Sequence, residues 1–433
     1  MNNISPMIKK FFPILIINCS LTIILIILTA YFNNNVRFHY ATLANDLRYI
    51  EHALQYRNHI YFEALTNSIN PPVYPIFFYL ISYLTMLIPT NIVITQWILL
   101  FFAISFLSFE LFKKYKSYSM LFSIFLFTYL NPIFFILNDG GVFPEFFTTC
   151  LVFIIISLWL RFTITRTNSS VITFSIVSGL LILTRYEFII LIALVAFQLF
   201  KKFRFKQAIL YISFPLVLLC FNLQKNYLIY DDIKLTNYSL HENMYGGVLT
   251  DGGLHYIDAF NFREFIPERF QEEFQILEKD TIDVNRILKK DKLFFEMWRY
   301  QWETNFWGKI NVLPCKFLKL IVPPPTIDIY TSNPEIMCKL NLENYFSDYY
   351  FPLKKDRIIN IVVFVFHFTL LSLTAYSLYK NTLFKDYSPF ILFILIYSFL
   401  LTFLFYGLPR FNFNLYAIFI VIQSLLFRPR LKN

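Results

Sequence analysis

The charged side chains best placed for chemistry are few, and most of them border long apolar runs. They are Asp46, Arg48, Arg57, Glu145, Arg185, Glu187 and Arg410. Carboxylates can hold a divalent metal ion or take a proton from an attacking hydroxyl, and arginines can bind phosphate oxygens in a fork. This set of groups is therefore typical of a site that acts on a phosphate-bearing substrate at a membrane surface.

Each of these groups also has a simpler interpretation. Glu145, Arg185 and Glu187 could form an internal ion pair, because ionisable groups at a membrane edge are costly unless they are paired or functional. Asp46 could be an ordinary solvated carboxylate in a polar loop. The residues alone leave both interpretations open.

Several common catalytic patterns are missing from the sequence. It contains no G-x-S-x-G, H-E-x-x-H or Walker pattern, so the serine hydrolase, zinc protease and nucleotide-driven pump classes lose their usual support. The histidines are scattered without the spacing of metal ligands. Among the five cysteines, Cys315 and Cys338 lie in one polar segment and could pair in an oxidising compartment.

The composition indicates an integral membrane protein. The chain is 57% apolar and 20% aromatic with 15% charged residues, which is more apolar surface than one soluble core of this length would bury. Its net charge of +10 comes from short basic clusters between apolar runs, as topology signals do. The charge therefore does not indicate a nucleic-acid partner.

Ten apolar runs are candidate membrane spans, each of which takes roughly 17 to 25 residues. They cover residues 11–31, 91–112, 118–137, 143–162, 168–184, 186–200, 207–225, 357–379, 387–406 and 410–427. A further run, from Pro71 to Pro89, is predicted to lie in the interface, because counting it as a span reverses every later basic cluster. The predicted fold is an α-helical polytopic membrane protein with about ten transmembrane helices, an interfacial helix and a small outer cap of α or α+β structure.

The basic clusters orient these helices. With ten spans, one side of the membrane holds 16 of the 38 basic residues and two of the 28 acidic residues. The positive-inside rule makes that side cytoplasmic. The candidate site residues then all lie on the opposite side, although they were not used to orient the chain. This predicts a multi-pass protein whose site faces outward. The bias toward Lys, Asn, Ile and Phe favours a bacterial inner (plasma) membrane, although a reticulum membrane would give the same topology.

The apolar run from 168 to 200 is too long for one span. Its 33 residues at ~1.5 Å each exceed the ~30 Å hydrocarbon layer. We predict a turn at Thr184, Arg185 and Glu187. The alternative is one tilted helix that buries Arg185 against Glu187, and it would invert the following basic cluster.

The same topology divides the chain into three parts. Residues 1–225 form a membrane module that includes the first outer loop, 32–89. Residues 226–356 form an extracytoplasmic cap, with helix around 263–302 that rests on the membrane helices through Trp298, Trp302 and Trp307. Residues 357–433 form the C-terminal transmembrane helices.

Six short segments, in order, resemble the GT-C superfamily of glycosyltransferases, particularly its family 39-like group of protein O-mannosyltransferases and aminoarabinose transferases. Asp46-Leu-Arg-Tyr-Ile-Glu-His-Ala resembles the D-x-x-Y-x-x-x-A signature that follows the first helix. The other five are Asn70–Pro75, similar to P-P-L-Y-P; Phe143-Pro144-Glu145; Leu183–Glu187, similar to L-T-R-P-E; Asn226–Gly247; and Pro409-Arg410-Phe411.

The resemblance implies an inverting transferase that uses a polyprenyl-phosphate-sugar donor and a lipid, glycan or protein acceptor. It makes Asp46 the catalytic carboxylate, as general base or metal ligand, and Glu145 its acidic partner, with Glu187 nearby. A divalent ion, Mg²⁺ or Mn²⁺, would be held by Asp46 and Glu145. Arg185 and Arg410 would bind the donor phosphate, with Arg48 and Arg57 as further candidates. Asn70 replaces the charged residue of some lipid A modifying relatives, which does not favour an aminoarabinose-type substrate.

Two other classes are consistent with many helices and a large outer loop. A polysaccharide polymerase or ligase also uses lipid-linked glycans, but it would not need Asp46 just after the first helix. A transporter or flippase would be expected to show an internal repeat or helices broken by Gly or Pro at matching positions. The chain has nine glycines and no evident repeat.

Overall fold

The computed structural model describes most of the chain. The described residues are 6–35, 72–84, 89–131, 134, 144–202, 205–230, 240–249, 266–279, 284–321, 327–329, 338–340, 357–380, 384–404 and 409–429.

The described part is almost entirely helical. Its first eight helices are α1 (Pro6–Asn35), α2 (Val73–Leu84), α3 (Pro89–Tyr115), α4 (Tyr118–Tyr129), α5 (Pro144–Thr165), α6 (Asn168–Ile182), α7 (Ile189–Lys202) and α8 (Phe205–Tyr230). They are followed by α9 (Leu240–Leu249), α10 (Glu268–Lys279), α11 (Val284–Thr304) and α12 (Phe306–Ile321). The last three are α13 (Arg357–Lys380), α14 (Phe384–Leu404) and α15 (Pro409–Ser424). Two 3₁₀ turns cover Tyr186–Phe188 and Leu425–Phe427.

Five of these helices have a segment long and apolar enough to cross a membrane. The segments are Lys9–Leu28, Asn91–Tyr115, Pro144–Thr165, Phe205–Leu228 and Tyr387–Leu404. Shorter apolar helices cover Val73–Leu84, Tyr118–Tyr129, Asn168–Ile182 and Asn414–Phe427. The protein is therefore an α-helical membrane protein. A helix occupies at least part of each of the ten predicted spans, but their number stays a prediction.

The basic clusters lie at one end of the helical bundle, which we call the basic end. The Ser117 hydroxyl, just before α4, donates to the carbonyl oxygen of Phe427 at 2.8 Å. The Tyr118 hydroxyl donates to the carbonyl oxygen of Lys10 at 3.4 Å. The starts of α1 and α4 therefore lie beside the end of the chain's last helix.

Polar contacts between other helices support the same arrangement. Glu110 near the end of α3 lies 4.0 Å from Arg161 near the end of α5. The Gln207 side chain, at the start of α8, donates to the carbonyl oxygen of Arg166 at 3.4 Å. The helices joined by these contacts thus have their basic termini together, as the positive-inside pattern predicts.

Two tight turns at the basic end have the same structure, a left-handed residue followed by a residue that caps the next helix. Lys116 and Arg166 have φ angles of 50° and 52°, and each follows the last residue of a helix. This left-handed conformation ends α3 and α5 in the way that commonly closes a helix C-terminus. Ser117 and Thr167 come next, and their hydroxyls accept from the backbone N–H of Met120 and Ser170 to cap α4 and α6.

The segment between α8 and α13 forms a second hydrophobic cluster. Its buried members lie mainly on α9, α10 and α11 and are Tyr245, Val248, Ile266, Phe270, Phe274, Leu277, Leu293, Phe294 and Met297. Two short strands, β1 (Ile327–Ile329) and β2 (Cys338–Leu340), pair antiparallel. Helical structure over 268–279 and 284–304 agrees with the helix expected around 263–302. The limits of a cap domain and the pairing of Cys315 with Cys338, whose side chains lie outside the described part, stay predictions.

The predicted topology can be tested by cysteine labelling. Lys201 lies at the basic end of α7 and Glu303 near the end of α11, and both are exposed. In a cysteine-free chain, Lys201→Cys and Glu303→Cys are expected to react with an impermeant maleimide from opposite sides of the membrane. The cysteine-free parent is the control for background labelling. Reaction of both cysteines from one side contradicts the topology.

Candidate active site

Three of the candidate residues form an ion network around Arg185. The Arg185 Nη1 group donates to Glu145 Oε1 at 2.8 Å, and its Nε group donates to an oxygen of Glu187. The side chains of Arg185 and Glu145 are 13% and 4% exposed, and that of Glu187 is 28% exposed. The internal ion pair considered from the sequence is thus a network of three charges, with two carboxylates on one guanidinium.

The local sequence explains how these residues meet. Pro144 starts α5, where a missing N–H costs nothing, and Glu145 in the first turn is favoured by the positive end of the helix dipole. Helix α6 ends at Ile182, and α7 begins at Ile189 after the 3₁₀ turn. The predicted turn is therefore confirmed, and the single tilted helix is wrong. We call this end of the bundle, opposite the basic end, the site end.

Burial by itself lowers the pKa of Arg185, but the carboxylates of Glu187 and Glu145 raise it above its ordinary value. The guanidinium therefore stays charged. Its two neighbours are carboxylates, so the triad carries a formal charge of −1 when all three groups are ionised.

Two further residues join the network from the C-terminal helices. The Tyr397 hydroxyl on α14 donates to Glu187 Oε1 at 3.5 Å, a long hydrogen bond. Asn414 on α15 donates from Nδ2 to the Tyr397 hydroxyl at 3.2 Å. Tyr397 and Asn414 are 1% and 0% exposed. The polar chain thus runs from α15 through α14 and the α6–α7 turn to α5.

Sequence analysis did not identify Tyr397 or Asn414. Both are uncharged and lie within apolar runs, where charge patterns give no signal. One indication was present, because Asn414 lies four residues after Arg410 on the same helix and residues at that spacing share a face. The inward face of α15 therefore could have been examined for a polar partner.

The double-proline segment also lies beside this network. The Val73 backbone N–H at the start of α2 donates to the carbonyl oxygen of Leu183 at 3.2 Å. The Tyr74 ring lies 5.5 Å from that of Phe147 on α5, and its hydroxyl accepts from Gln96 Nε2 at 2.8 Å. Helix α2 is thus fixed to both elements that carry the ion network.

Two buried acceptor atoms of the network have no hydrogen-bond donor among the described residues. They are Glu145 Oε2 and Asn414 Oδ1. A buried polar group left without a partner costs ~1–3 kcal/mol. A hydroxyl, amide or cation from another part of the chain or from a ligand would satisfy them. The arrangement can therefore bind a hydrogen-bond donor next to a fixed guanidinium.

Four of the expected site residues are not placed by the structure. Asp46, Arg48 and Arg57 lie outside the described residues. The backbone of Arg410 is in the first turn of α15, four residues before Asn414, but its side chain is not described. Their predicted roles stay predictions.

The described residues around Arg185 do not by themselves form a metal site. Within the described ranges, no group of three His, Cys, Asp or Glu residues could hold a metal ion. One oxygen of Glu145 and one of Glu187 already bind Arg185. Magnesium needs near-octahedral oxygen coordination, so further ligands are required. The predicted divalent ion on Asp46 and Glu145 stays a prediction.

Comparison with family models, curated proteins and solved structures finds no match. The contacts around Arg185 and the short segments that resemble the GT-C group are therefore what indicate its function.

The contribution of Tyr397 can be measured directly. Tyr397→Phe removes the donor to Glu187 and leaves the buried Asn414 amide without its acceptor, so we expect a loss of ~1–3 kcal/mol in the free energy of unfolding. The measurement is denaturant unfolding in detergent. Tyr379→Phe, at a side chain that is 88% exposed, is the matched control. Equal stability of the two variants would contradict the proposed network.

Proposed function

We propose that this chain is a membrane glycosyltransferase that transfers a sugar from a polyprenyl-phosphate donor to an acceptor at the site end, predicted to face outward from the inner membrane. The observation that supports this most is the buried network of Arg185 with Glu145 and Glu187. Two of the six segments that resemble the GT-C group, at the start of α5 and in the α6–α7 turn, supply these three residues. A third, at the start of α2, bonds the carbonyl oxygen of Leu183, and a fourth begins α15, which carries Asn414.

The proposed chemistry explains why a charged guanidinium is held there. As the glycosidic bond breaks, negative charge develops on the leaving lipid phosphate. A preplaced cation stabilises this charge more in the transition state than in the ground state. Glu145 and Glu187 keep Arg185 fixed, so the site need not reorganise when the charge develops.

The net charge of Arg185, Glu145 and Glu187 means that Arg185 cannot bind a phosphate group alone. Two carboxylates beside one guanidinium leave a net negative charge, which would repel a phosphate without further cations. Arg410 is one candidate, since it lies in the first turn of α15, the helix that carries Asn414 into the network. Arg48 and Arg57 are the others, from the loop that ends at α2.

The acceptor is activated by a carboxylate in this proposal. Asp46 takes the proton from the attacking hydroxyl as general base. It precedes α2 in the sequence, and the hydrogen bond from Val73 to Leu183 holds the start of α2 at the site end. The second oxygen of Glu145 can accept a hydrogen bond from a sugar hydroxyl. The 226–356 segment would act as a cap that selects the acceptor.

Replacing the carboxylates and the arginine tests the proposal. Glu145→Gln, Arg185→Gln and Asp46→Asn are each expected to lower product formation on the order of 10²-fold or more, because each removes a charge used in the transition state. Product is measured by mass spectrometry of glycolipids, glycoproteins and polysaccharides from a deletion strain that expresses each variant. Glu303→Gln, at a side chain that is 59% exposed, is the matched control.

The accumulated donor distinguishes the competing classes. A glycosyltransferase of the proposed kind leaves polyprenyl-phosphate sugar unused in the inactive variants. Build-up of longer polyprenyl-linked glycans would instead favour a polymerase or ligase. Well-expressed variants that leave every glycoconjugate unchanged would defeat the proposal.

A further inference from the structure

Helix α12 has the reverse of the polarity expected for a helix at a water-exposed surface. Two of its lysines face inward: Lys309 and Lys316 are 6% and 3% exposed. Its aromatic residues face outward: Phe306, Trp307 and Phe317 are 49%, 74% and 42% exposed. Buried lysines beside exposed aromatic rings indicate a helix face that is not turned toward water.

The inward lysines have a structural role that fixes this orientation. The ammonium group of Lys309 donates to the carbonyl oxygen of Val248 at 3.0 Å, and that of Lys316 donates to the carbonyl oxygen of Gly247. Both carbonyls lie at the C-terminal end of α9, where the carbonyl oxygens of the last turn and the negative end of the helix dipole favour a cation. Rotating α12 about its axis would break both contacts, so the aromatic face stays outward.

A ring contact shows where α12 lies along the axis of the bundle. Trp302, near the end of α11, stacks on Phe403 with ring centroids 5.0 Å apart and planes 22° apart. Phe403 is next to the last residue of α14, whose segment Tyr387–Leu404 is apolar enough to cross a membrane. Helix α12 starts four residues after Trp302. It therefore begins where a spanning helix leaves the hydrocarbon layer.

A continuous row of rings joins the lipid-facing side of α14 to α12. Phe399, 63% exposed, stacks on Phe403 at 5.8 Å. From Phe403 the row continues to Trp302, then to Phe306 at 6.1 Å, and then to Trp307 at 5.3 Å. The exposed face of α12 is thus an extension of a surface that lipid must already cover.

We propose that α12 is an interfacial helix whose exposed face, formed by Phe306, Trp307 and Phe317, lies in the headgroup and upper acyl layer of the leaflet at the site end. Trp is enriched at this depth because its ring is apolar and its N–H can still be hydrated. The attachment uses aromatic rings, and Lys309 and Lys316 face inward, so we expect it to need neither anionic lipid nor low salt. The inference does not depend on the proposed glycosyl transfer.

Fluorescence in lipid bilayers tests the position of Trp307. The native chain, with five tryptophans, and the Trp307→Phe variant are placed in phosphatidylcholine nanodiscs with lipids brominated near the top of the acyl chain. The native chain is expected to lose clearly more emission than the variant does, and equally at 0.1 and 1 M NaCl. Equal quenching of the two proteins, or loss of the difference at high salt, would overturn the proposal.

A second measurement identifies what covers the face. In the cysteine-free chain, Trp307→Cys and Glu303→Cys are labelled with the fluorophore NBD, and dithionite is added to the aqueous phase of the same nanodiscs. The label at 303 is expected to be reduced at least several-fold faster than the label at 307. Equal rates would place the face in water. Slow reduction at 307 without quenching by brominated lipid would mean that a second copy or another protein covers it, and would also overturn the proposal.

Discussion

The arrangement of the site end depends on keeping Arg185 charged where little water reaches it. Removing a guanidinium from water is costly, and close hydrogen-bonded carboxylates offset that cost. Glu145 and Glu187 come from different elements, α5 and the α6–α7 turn. Because Arg185 needs both carboxylates, the position of α5 relative to the α6–α7 turn is fixed. Tyr397 and Asn414 extend it to α14 and α15. A charge that cannot be left unpaired therefore determines how four separate parts of the chain meet.

Most of the helical framework could be predicted from the sequence, because apolar runs, basic clusters and the fixed rise of a helix are local properties. The turn around Arg185 is the clearest case, since a 33-residue run cannot fit the membrane as one helix. The pairing of Arg185 with Glu145 could be expected only as one of two interpretations. Tyr397 and Asn414 could not be predicted, because a neutral hydrogen bond between distant helices leaves no mark in charge or periodicity.

The tryptophans also have partners that the sequence does not predict. Three of them, Trp298, Trp302 and Trp307, were expected to rest on the membrane helices, and Trp302 does contact α14 through Phe403. Trp307 was expected to rest on the membrane helices, but the structure exposes it, and its ring makes an edge-to-face contact with that of Phe306. Composition therefore predicts the environment of such a residue better than its partner. The partner depends on how α12 is rotated, which the buried Lys309 and Lys316 decide.

The two left-handed turns at Lys116 and Arg166 have a consequence for movement within the bundle. Each joins two helices through two residues, and Ser117 also bonds the last helical turn through Phe427. Helices joined so closely can change their spacing little at that end. Any separation of α3 from α4, or of α5 from α6, must grow with distance from the joint. The basic end therefore acts as a fixed pivot, and a long molecule that enters between these helices would have to enter from the other end.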